Sequence, residues 1–332
     1  MKNKFYSTVI DSVSSCVPKK KLDLNTFGSV FGINEVKKII KSTGISEVRV
    51  ADKNVTASDL CEKAAEHLLT KRKINRNEVG GLIFVSQTRD YELPQTSQIL
   101  QHKLGLDEDC ICYDLPIGCS GYIYGLYQSM LLIESSSAKK VLLLVGETNS
   151  RFIDEMDQKT KLVFGDAGTA TLLTNGVNES NLILRGSGLG FKNLIIENGG
   201  YRKNRNSSEK FIKMNGLNVF NFTIDKVPKI INDILSYSSS EIKDVDRFFF
   251  HQANNFMVKH LYKKLKIEVD KVPCNMNKYG NTGGASIPLL LSESHSNESL
   301  EKIILCGFGV GLSWGAILTN LSKTFFLKPI DY

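Results

Sequence analysis

Three residues of the chain combine a reactive side chain with a local sequence that places such groups at the ends of strands or helices. Cys119 can act as a nucleophile, His251 can exchange a proton or donate a hydrogen bond, and the Asn281 carboxamide can donate to an oxyanion. They occur in the order Cys, His, Asn, and the cysteine and histidine are 132 positions apart. These residue types suggest nucleophilic catalysis by a thiol.

Cys119 follows a predicted strand, Ile111–Leu115, and precedes an apolar predicted helix that begins near Gly121. Glycines on both sides of the cysteine predict a tight turn between the two elements. The dipole of a helix favours a thiolate at its N-terminus, so the sequence predicts a lowered thiol pKa. The alternative interpretation is a small buried residue that only packs.

His251 follows the apolar run Phe248–Phe250 and comes directly before a predicted helix. Catalytic groups of α/β proteins gather at the carboxyl ends of strands, so this histidine is the best placed of the five in the chain. A lone histidine is nevertheless often structural. Asn281 lies in the glycine-rich segment Gly280–Gly284, and because asparagine is common in turns, this residue alone also allows a structural role.

The elements that must position these residues alternate between strands and helices. Apolar runs predict strands covered on both faces at Gly81–Ser86, Lys139–Gly146, Arg247–His251 and Lys302–Gly307. Helices are predicted after the capping-box sequence Thr56–Asp59, and over Gly121–Ile133, Asn218–Leu235 and Asn255–Leu265. This order predicts an α/β fold with helices layered on a mainly parallel sheet.

Composition excludes several classes of protein. The chain has 332 residues, of which 42% are hydrophobic and 23% charged, and this is not the composition of a disordered, collagenous or coiled-coil protein. The length suggests two structural units or one duplicated unit. No apolar run approaches the roughly 20 residues of a membrane span, and the first residues lack the pattern of a signal peptide. We therefore expect a cytoplasmic protein with no membrane insertion.

The sequence offers little support for a metal or nucleotide site. Seven cysteines occur without a CxxC pair, and Cys110 and Cys112 are spaced poorly for zinc. Their alternation with Ile111 and Tyr113 instead predicts a buried strand. The segment Gly307–Gly315 is rich in glycine but lacks the following helix of a dinucleotide site, so it is expected to approach another backbone closely. Nothing in the chain resembles a nucleic-acid-binding module.

Papain-like proteases share the order Cys, His, Asn, with the histidine about 130–150 residues after the cysteine. Spacing alone therefore leaves a protease open. The local sequence argues against it, because Gly118–Tyr122 reads Gly-Cys-Ser-Gly-Tyr and lacks the second cysteine of the protease signature.

Ordered motifs along nearly the whole chain resemble the β-ketoacyl-acyl-carrier-protein synthase III family of the thiolase superfamily. Thr43–Arg49 is similar to the early TGI-x-E-x-R segment of the family, and Gly118–Gly121 is similar to its nucleophile motif. The histidine, asparagine and C-terminal glycine motifs of the family are similar to His251–Asn254, Tyr279–Thr282 with Ala285–Pro288, and Gly307–Gly315.

The resemblance implies a thiolase-like, five-layered αβαβα fold made of two similar halves and a homodimer. We take the halves as 1–176, with the nucleophilic cysteine, and 177–332, with the histidine and asparagine. It also implies that Cys119, His251 and Asn281 share one site, with an oxyanion hole made by the backbone N–H groups of Cys119 and Val310. Further contacts to substrate or carrier are implied at Asn254, Phe256, Gly216 and Gly309.

The implied activity is a condensation of acyl thioesters. An acyl group from acyl-CoA or an acyl-carrier donor would load Cys119, and decarboxylative Claisen condensation with malonyl-acyl carrier protein or malonyl-CoA would give a β-ketoacyl thioester. Coenzyme A or phosphopantetheine thioesters would be the substrates, and neither a metal nor another cofactor is implied. One alternative is an acyltransferase of this type that acts on an alcohol or amine in a specialised pathway. Another is a non-catalytic partner subunit, which would be expected to lack Cys119.

Several positions depart from the pattern of better-known relatives. Phe256 stands where an arginine is common, Asn221 where a lysine is common, and Val36–Ile40 has no tryptophan to stack on adenine. The net charge of +7 favours an acidic carrier protein in general terms. Candidate contacts for the carrier are the lysines at 213, 226, 259, 263 and 264. The segment Ser86–Ser97, which the resemblance places near the acyl pocket and dimer interface, also differs and suggests a specialised homologue.

Overall fold

The structure is a computed structural model that describes residues 1–135, 138–202, 210–294 and 300–332. Its strands are β1 Lys2–Phe5, β2 Thr8–Val17, β3 Lys21–Asp23, β4 Glu47–Arg49, β5 Gly81–Val85, β6 Ile111–Leu115, β7 Lys140–Glu147, β8 Ala167–Asn175, β9 Ser180–Gly186, β10 Leu194–Ile195, β11 Lys213–Met214, β12 Arg247–Phe250, β13 Ile303–Gly309, β14 Ser313–Thr319, β15 Phe325–Phe326 and β16 Ile330–Asp331. Its helices are α1 Gly28–Phe31, α2 Ile33–Thr43, α3 Ala57–Arg72, α4 Thr96–Lys103, α5 Gly121–Ser135, α6 Gln158–Lys161, α7 Gly216–Tyr237, α8 Asn255–Leu265, α9 Met276–Tyr279 and α10 Ser286–Ser292.

Two large sheets repeat one strand order. The first sheet runs β15-β2-β8-β7-β5-β6, with β16 also paired to β2, and the second runs β1-β9-β14-β13-β12. The series β2-β8-β7-β5 and β9-β14-β13-β12 have the same sequence of antiparallel, antiparallel and parallel pairings. The chain therefore contains two similar halves. The prediction of a mainly parallel sheet is confirmed for the first sheet, where four of the six strand pairings are parallel. It is wrong for the second sheet, where only the pairing of β12 with β13 is parallel and three are antiparallel.

The two halves exchange strands at their edges. β1 lies in the second sheet, where it pairs with β9, whereas β15 and β16 lie in the first sheet beside β2. Residue 176 lies between β8 and β9, which belong to different sheets. The division at 176 and 177 stays a prediction, but neither half contains all the strands of its own sheet.

The helices complete five layers in the order αβαβα. The helix α3 covers the outer face of the first sheet through buried residues such as Leu60, Ala64 and Leu68. The helices α5 and α10 lie between the sheets, in one apolar cluster with residues of both. The helices α7 and α8 cover the outer face of the second sheet. The predicted five-layered fold is confirmed.

Local sequence explains the two helices nearest to the first sheet. The Thr56 side chain accepts a hydrogen bond from the Asp59 N–H, and the Asp59 carboxylate accepts one from the Thr56 N–H, so α3 begins with the predicted capping box. The helix α5 is apolar around most of its circumference because sheets cover it on two sides. Tyr122, Ile123 and Leu126 are fully buried there.

The strand β6 lies at the edge of the first sheet and pairs only with β5 among the described residues. Ile111, at its start, keeps 46% of its surface exposed. The prediction of a buried strand around Cys110 and Cys112 is therefore wrong, because the strand has a neighbour on one side only. In the described part of the chain, no helix is long and apolar enough to cross a membrane, and no group of three or more His, Cys, Asp or Glu side chains could hold a metal ion.

Close packing of α3 on β8 requires a residue without a side chain at Gly168, and this requirement can be tested. A Cβ atom built on this glycine would lie 2.4 Å from the backbone nitrogen of Cys61 in α3. We expect Gly168→Ala to lower the free energy of unfolding by about 1–3 kcal/mol or more, since the helix must move off the sheet. Denaturant unfolding measures this change. Gly188→Ala is the matched control, because nothing lies within 4 Å of a Cβ at that position, and an equal loss in both variants would contradict the packing argument.

Candidate active site

Cys119 lies in the turn between β6 and α5. The turn is closed by a hydrogen bond from the Gly121 N–H to the Gly118 carbonyl oxygen, 2.6 Å long, and the helix starts at Gly121. Two cavities meet at the cysteine, which keeps some accessible surface although protein surrounds it on most sides. The sulfur is therefore reachable from two directions.

The glycine-rich strand end of the second half presses directly against the nucleophile. A Cβ atom built on Gly309 would lie 2.6 Å from the Cys119 Cβ and 2.9 Å from its Sγ. One built on Gly307 would lie 3.0 Å from the Ser120 Cα. The predicted close approach of this segment to another backbone is thus observed, and only glycine leaves room for the cysteine.

His251 is the first residue after β12, and its N–H still bonds to the Cys306 carbonyl oxygen at 2.9 Å. The ring is almost completely buried and lies edge-on to Phe308. Its Nδ1 is 2.7 Å from the Ser286 Oγ, which also accepts a bond from the Gln252 N–H at 3.3 Å. Because the serine oxygen is already an acceptor, its own proton can be donated to Nδ1. With the serine as the donor of this bond, the ring proton of a neutral His251 is on Nε2.

The Asn281 side chain is fixed by its own turn. The Oδ1 atom accepts a hydrogen bond from the Gly283 N–H at 3.0 Å, which leaves the amide NH₂ free to donate. The backbone of Asn281 bonds to Val163 and Gly165 in the neighbouring segment at 2.8 and 3.1 Å. The carboxamide is thereby held with its donor side available to a ligand.

Cys119, His251 and Asn281 all line one cavity of about 260 Å³, which we call the front cavity. Residues of α2 and of the start of α8 also line it, including Thr43 and Met257. On the other side of the cysteine, a second cavity of about 330 Å³ is lined by Gln87, Gly118, Glu147, Asn149, Phe152, Phe164, Leu194, Ile195, Ile196, Ile212, Gly283 and Val310. We call this second space the rear cavity, and Cys119 lies where the two meet.

Of the other predicted site residues, some line the two cavities and others lie outside them. Asn254 and Gly309 line the front cavity and Val310 lines the rear cavity. The Asn254 carboxamide also caps α8 by accepting from the Met257 N–H at 2.8 Å. Two residues lie outside both cavities: Gly216 is the first residue of α7, and Phe256 is 48% exposed. Phe256 packs on the rings of Phe220 and His260.

Burial governs the charge state of the site. It raises the pKa of the Cys119 thiol to about 11, and the backbone N–H groups of Val310 and of Cys119 itself offset only part of this shift. It also lowers the pKa of His251 to about 4. The prediction of a lowered cysteine pKa is therefore wrong, because burial away from water raises it more than the backbone N–H groups lower it. Near pH 7 the two side chains form a neutral thiol and a neutral imidazole.

Sequence reasoning missed several polar residues of the site. Ser286 lies within the segment Ala285–Pro288 of the asparagine motif, but its contact with His251 could not be predicted from that motif. Gln87, Glu147 and Asn149 line the rear cavity, and all three follow or close a predicted strand. The carboxyl-end rule that selected His251 could have selected them as well.

The chain matches known proteins along its length. A sequence profile described as 3-oxoacyl-[acyl-carrier-protein (ACP)] synthase III matches residues 113–189, and the corresponding C-terminal profile matches residues 235–321. A β-ketoacyl-[acyl-carrier-protein] synthase III from Streptococcus agalactiae is 34% identical over 292 residues, covering 85% of this chain and 90% of the relative. One from Clostridium tetani is 35% identical over 293 residues, covering 83% and 87%.

Solved structures give the same match in three dimensions. The crystal structure of a 3-oxoacyl-(acyl-carrier protein) synthase from Burkholderia xenovorans LB400 superposes with a TM-score of 0.96 at 38% sequence identity. It covers 100% of this chain and 99% of that chain. The likeness therefore includes both halves and the elements that position the three site residues.

The raised thiol pKa predicts how Cys119 reacts with an alkylating reagent. Since the thiolate is the nucleophile and the pKa is about 11, alkylation by iodoacetamide should quicken roughly tenfold for each pH unit between 7 and 9.5. Peptide mass spectrometry of time points follows this residue alone, with Cys119→Ser as the blank. A rate that levels off below pH 8 would instead show a thiolate already formed in the free protein.

Proposed function

The chain belongs to the 3-oxoacyl-[acyl-carrier-protein] synthase III family, and we propose that it carries out condensation through Cys119, His251 and Asn281. It is a transferase that condenses acyl thioesters. The observation that supports the proposed residue roles is their convergence on the front cavity, with the cysteine at the junction to the rear cavity. The donor and the extender thioester would enter through the front cavity, and the acyl group would occupy the rear one.

The first step would load the acyl group on Cys119. The sulfur attacks the thioester carbonyl of the donor, and the tetrahedral oxyanion accepts hydrogen bonds from the backbone N–H groups of Cys119 and Val310. Both N–H groups already lie close enough to the sulfur to act on its pKa. The C–S bond of the donor breaks, and the proton of the cysteine ends on the released thiol. Acyl-cysteine and free coenzyme A or phosphopantetheine thiol are the products.

The second step would condense this acyl group with a malonyl thioester. Loss of carbon dioxide leaves an enolate, whose oxygen can accept from the His251 Nε2–H and the Asn281 amide. The carbanion attacks the acyl carbonyl, the bond to Cys119 breaks, and the thiolate takes up a proton. A neutral histidine suits this role, because burial holds its pKa near 4 and it keeps a single ring proton for donation at neutral pH.

The orientation of Asn281 favours condensation over simple acyl transfer to an alcohol or amine. Its Oδ1 is occupied by the Gly283 N–H, so the side chain offers only donors. A donor at this point serves an enolate oxygen, whereas transfer alone forms no enolate. The presence of Cys119 likewise argues against a non-catalytic partner subunit.

An acidic acyl carrier protein is the partner that we infer for the thioester substrates. Exposed lysines lie on the two helices beside the front cavity, at 37, 38 and 41 on α2 and at 259 and 263 on α8. Lys38 pairs with Glu35, and of the other lysines considered, Lys213 and Lys226 pair with Glu197 and Asp225. Lys264 donates to the Ile224 carbonyl oxygen. The positive charges of the lysines on α2 and α8 would attract a negatively charged carrier protein towards the opening of the front cavity.

A homodimer is supported by the free edge of the first sheet. The strand β6 offers an unpaired edge in the described chain, and exposed edges of this kind are usually covered. Tyr91 and Leu93, in the loop after β5, are 62% and 86% exposed. Apolar side chains beside an open strand suit a second copy of the chain.

All seven cysteines are free thiols in the structure. Cys119 must stay reduced for the proposed chemistry, and free thiols persist in a reducing compartment. We infer a cytoplasmic location on this ground.

Replacement of Asn281 separates the two proposed steps. Asn281→Ala should still form the acyl-Cys119 adduct, because the oxyanion hole for loading is made of backbone N–H groups. Release of carbon dioxide from malonyl carrier protein should fall by about 10²–10³-fold through loss of one enolate donor. Intact mass spectrometry measures loading, and labelled carbon dioxide measures decarboxylation.

The matched control is Asn232→Ala, since Asn232 is exposed on α7 away from both cavities. It should leave both steps unchanged. Normal decarboxylation in Asn281→Ala would show that the asparagine has no part in stabilising the enolate.

Light scattering on the eluted peak of a size-exclusion column tests the dimer. The chain has a mass of 37.0 kDa, so a dimer should give about twice that value. Ile111→Asp places a charge on the open edge strand and should shift the peak towards the monomer. The control Val177→Asp alters a fully exposed residue distant from β6 and should have no effect. A wild-type mass of one chain would remove the dimer from the proposal.

A further inference from the structure

The rear cavity is lined by two chemically different sets of residues, which we call its apolar wall and its polar wall. One wall is apolar and is formed by Phe152, Phe164, Leu194, Ile195, Ile196 and Ile212. The other is polar and is formed by Gln87, Glu147 and Asn149. A plain alkyl chain would suit the first wall only, because the amide groups of the second would lose water without gaining a partner.

Asn149 is the most informative residue of the polar wall. Only 8% of its surface is exposed, yet within the described part of the chain its carboxamide makes no hydrogen bond to another residue. The residue lines the rear cavity, so a ligand that fills this space would bury the amide and would have to offer it a hydrogen-bond partner. Its Nδ2 lies 2.9 Å from a Cβ built on Gly283, so the amide is held beside the Asn281 turn. The Asn149 amide is therefore available to a polar group of a ligand in the rear cavity.

Gln87 brings a second amide close to the nucleophile. Its Oε1 would lie 2.3 Å from a Cβ built on Gly118, the residue directly before Cys119. Among the described residues the Gln87 side chain also has no hydrogen-bond partner, although its backbone is fixed. The amide is therefore near the position of the first carbons of an acyl group on the cysteine.

Glu147 acts as the support for this wall. Its carboxyl group accepts from the Gln87 N–H at 3.1 Å and from the Thr88 hydroxyl at 3.1 Å, and Ser86 adds a longer contact. Burial raises the pKa of Glu147 to about 8, so the group is largely neutral near pH 7. It therefore holds Gln87 in place without putting a full negative charge beside Cys119.

From these contacts we propose that the rear cavity selects a short acyl group that carries a hydroxyl within its first four carbons. A hydroxyl both donates and accepts, so it matches the carbonyl and NH₂ groups of Asn149 and Gln87. The carbon chain of the same acyl group would pack on the apolar wall. This inference rests on the proposed loading of Cys119 and adds the class of acyl group that is loaded.

The test compares matched donors in the same enzyme. The full-length protein is incubated with butyryl-CoA and with 2-, 3- and 4-hydroxybutyryl-CoA, and the rate of the mass gain on Cys119 is measured for each. We expect the second-order rate constant for loading of Cys119 to be about tenfold higher, or more, for at least one hydroxylated donor than for butyryl-CoA. One additional buried hydrogen bond would give a difference of this size. Butyryl-CoA loading as fast as all three hydroxylated donors would overturn the proposal.

Variants of the polar wall test whether its residues cause the preference for hydroxylated donors. Asn149→Leu keeps the size of the side chain and removes its polar atoms, so the ratio of hydroxylated to plain donor should fall about tenfold. Asn232→Leu makes the same change on exposed α7 and should leave the ratio unchanged. Should Asn149→Leu not fold, Gln87→Leu serves instead, because the exposed Gln87 side chain tolerates replacement. A ratio that stays at the wild-type value in the folded variant would overturn the assignment.

The outcomes also distinguish this inference from the proposed function. If none of the donors, including acyl-carrier-protein forms of the same acyl groups, adds mass to Cys119, then the loading step itself is wrong. If Cys119 loads plain and hydroxylated groups equally, the loading step stands and the selection is wrong.

Discussion

The structure depends on one close contact between the two halves, where the backbone of Gly309 meets the side chain of Cys119. The 2.6 Å distance from a Cβ built on this glycine to the Cys119 Cβ leaves no space for any larger residue. That approach brings the Val310 N–H to the sulfur and aligns the ends of β6 and β12 across the molecule. The repeated strand order makes this possible, since each half presents the carboxyl ends of its parallel strands to the same central region.

The same contact explains the electrostatics of the site. Bringing the halves together removes water from Cys119 and His251, and desolvation moves both pKa values towards the neutral forms. An exposed thiol at a helix N-terminus would behave differently, and the sequence could not distinguish the two cases. Fixed donors such as the Val310 N–H and the Asn281 amide gain strength in such an environment, because no solvent competes with them.

Much of the fold could be predicted from the sequence, because the signals are local. The helix Asn255–Leu265 occurs as predicted, the strand predicted at Gly81–Ser86 is observed over Gly81–Val85, and the capping box of Thr56 is present. The convergence of Cys119, His251 and Asn281 required the resemblance, since the residues are far apart in the chain. The mixed sheets, the open edge at β6 and the raised cysteine pKa could not be predicted, because each depends on neighbours that are distant in sequence. The polar wall was missed for another reason: Asn149 has no unusual local sequence, and only its place in the lining of the rear cavity draws attention to it.

The exchange of edge strands sets the order in which the chain can be completed during synthesis. The edge of β2 that lies away from β8 is covered by β15 and β16, which are synthesised more than 300 residues after β2. At about 5–20 residues per second, the first half would wait many seconds with that edge open. An open strand edge can pair with other chains, so a nascent first half is an aggregation hazard until residue 331 is available. Production of this protein would thus benefit from slow expression or from holding chaperones, although the finished fold has that edge closed.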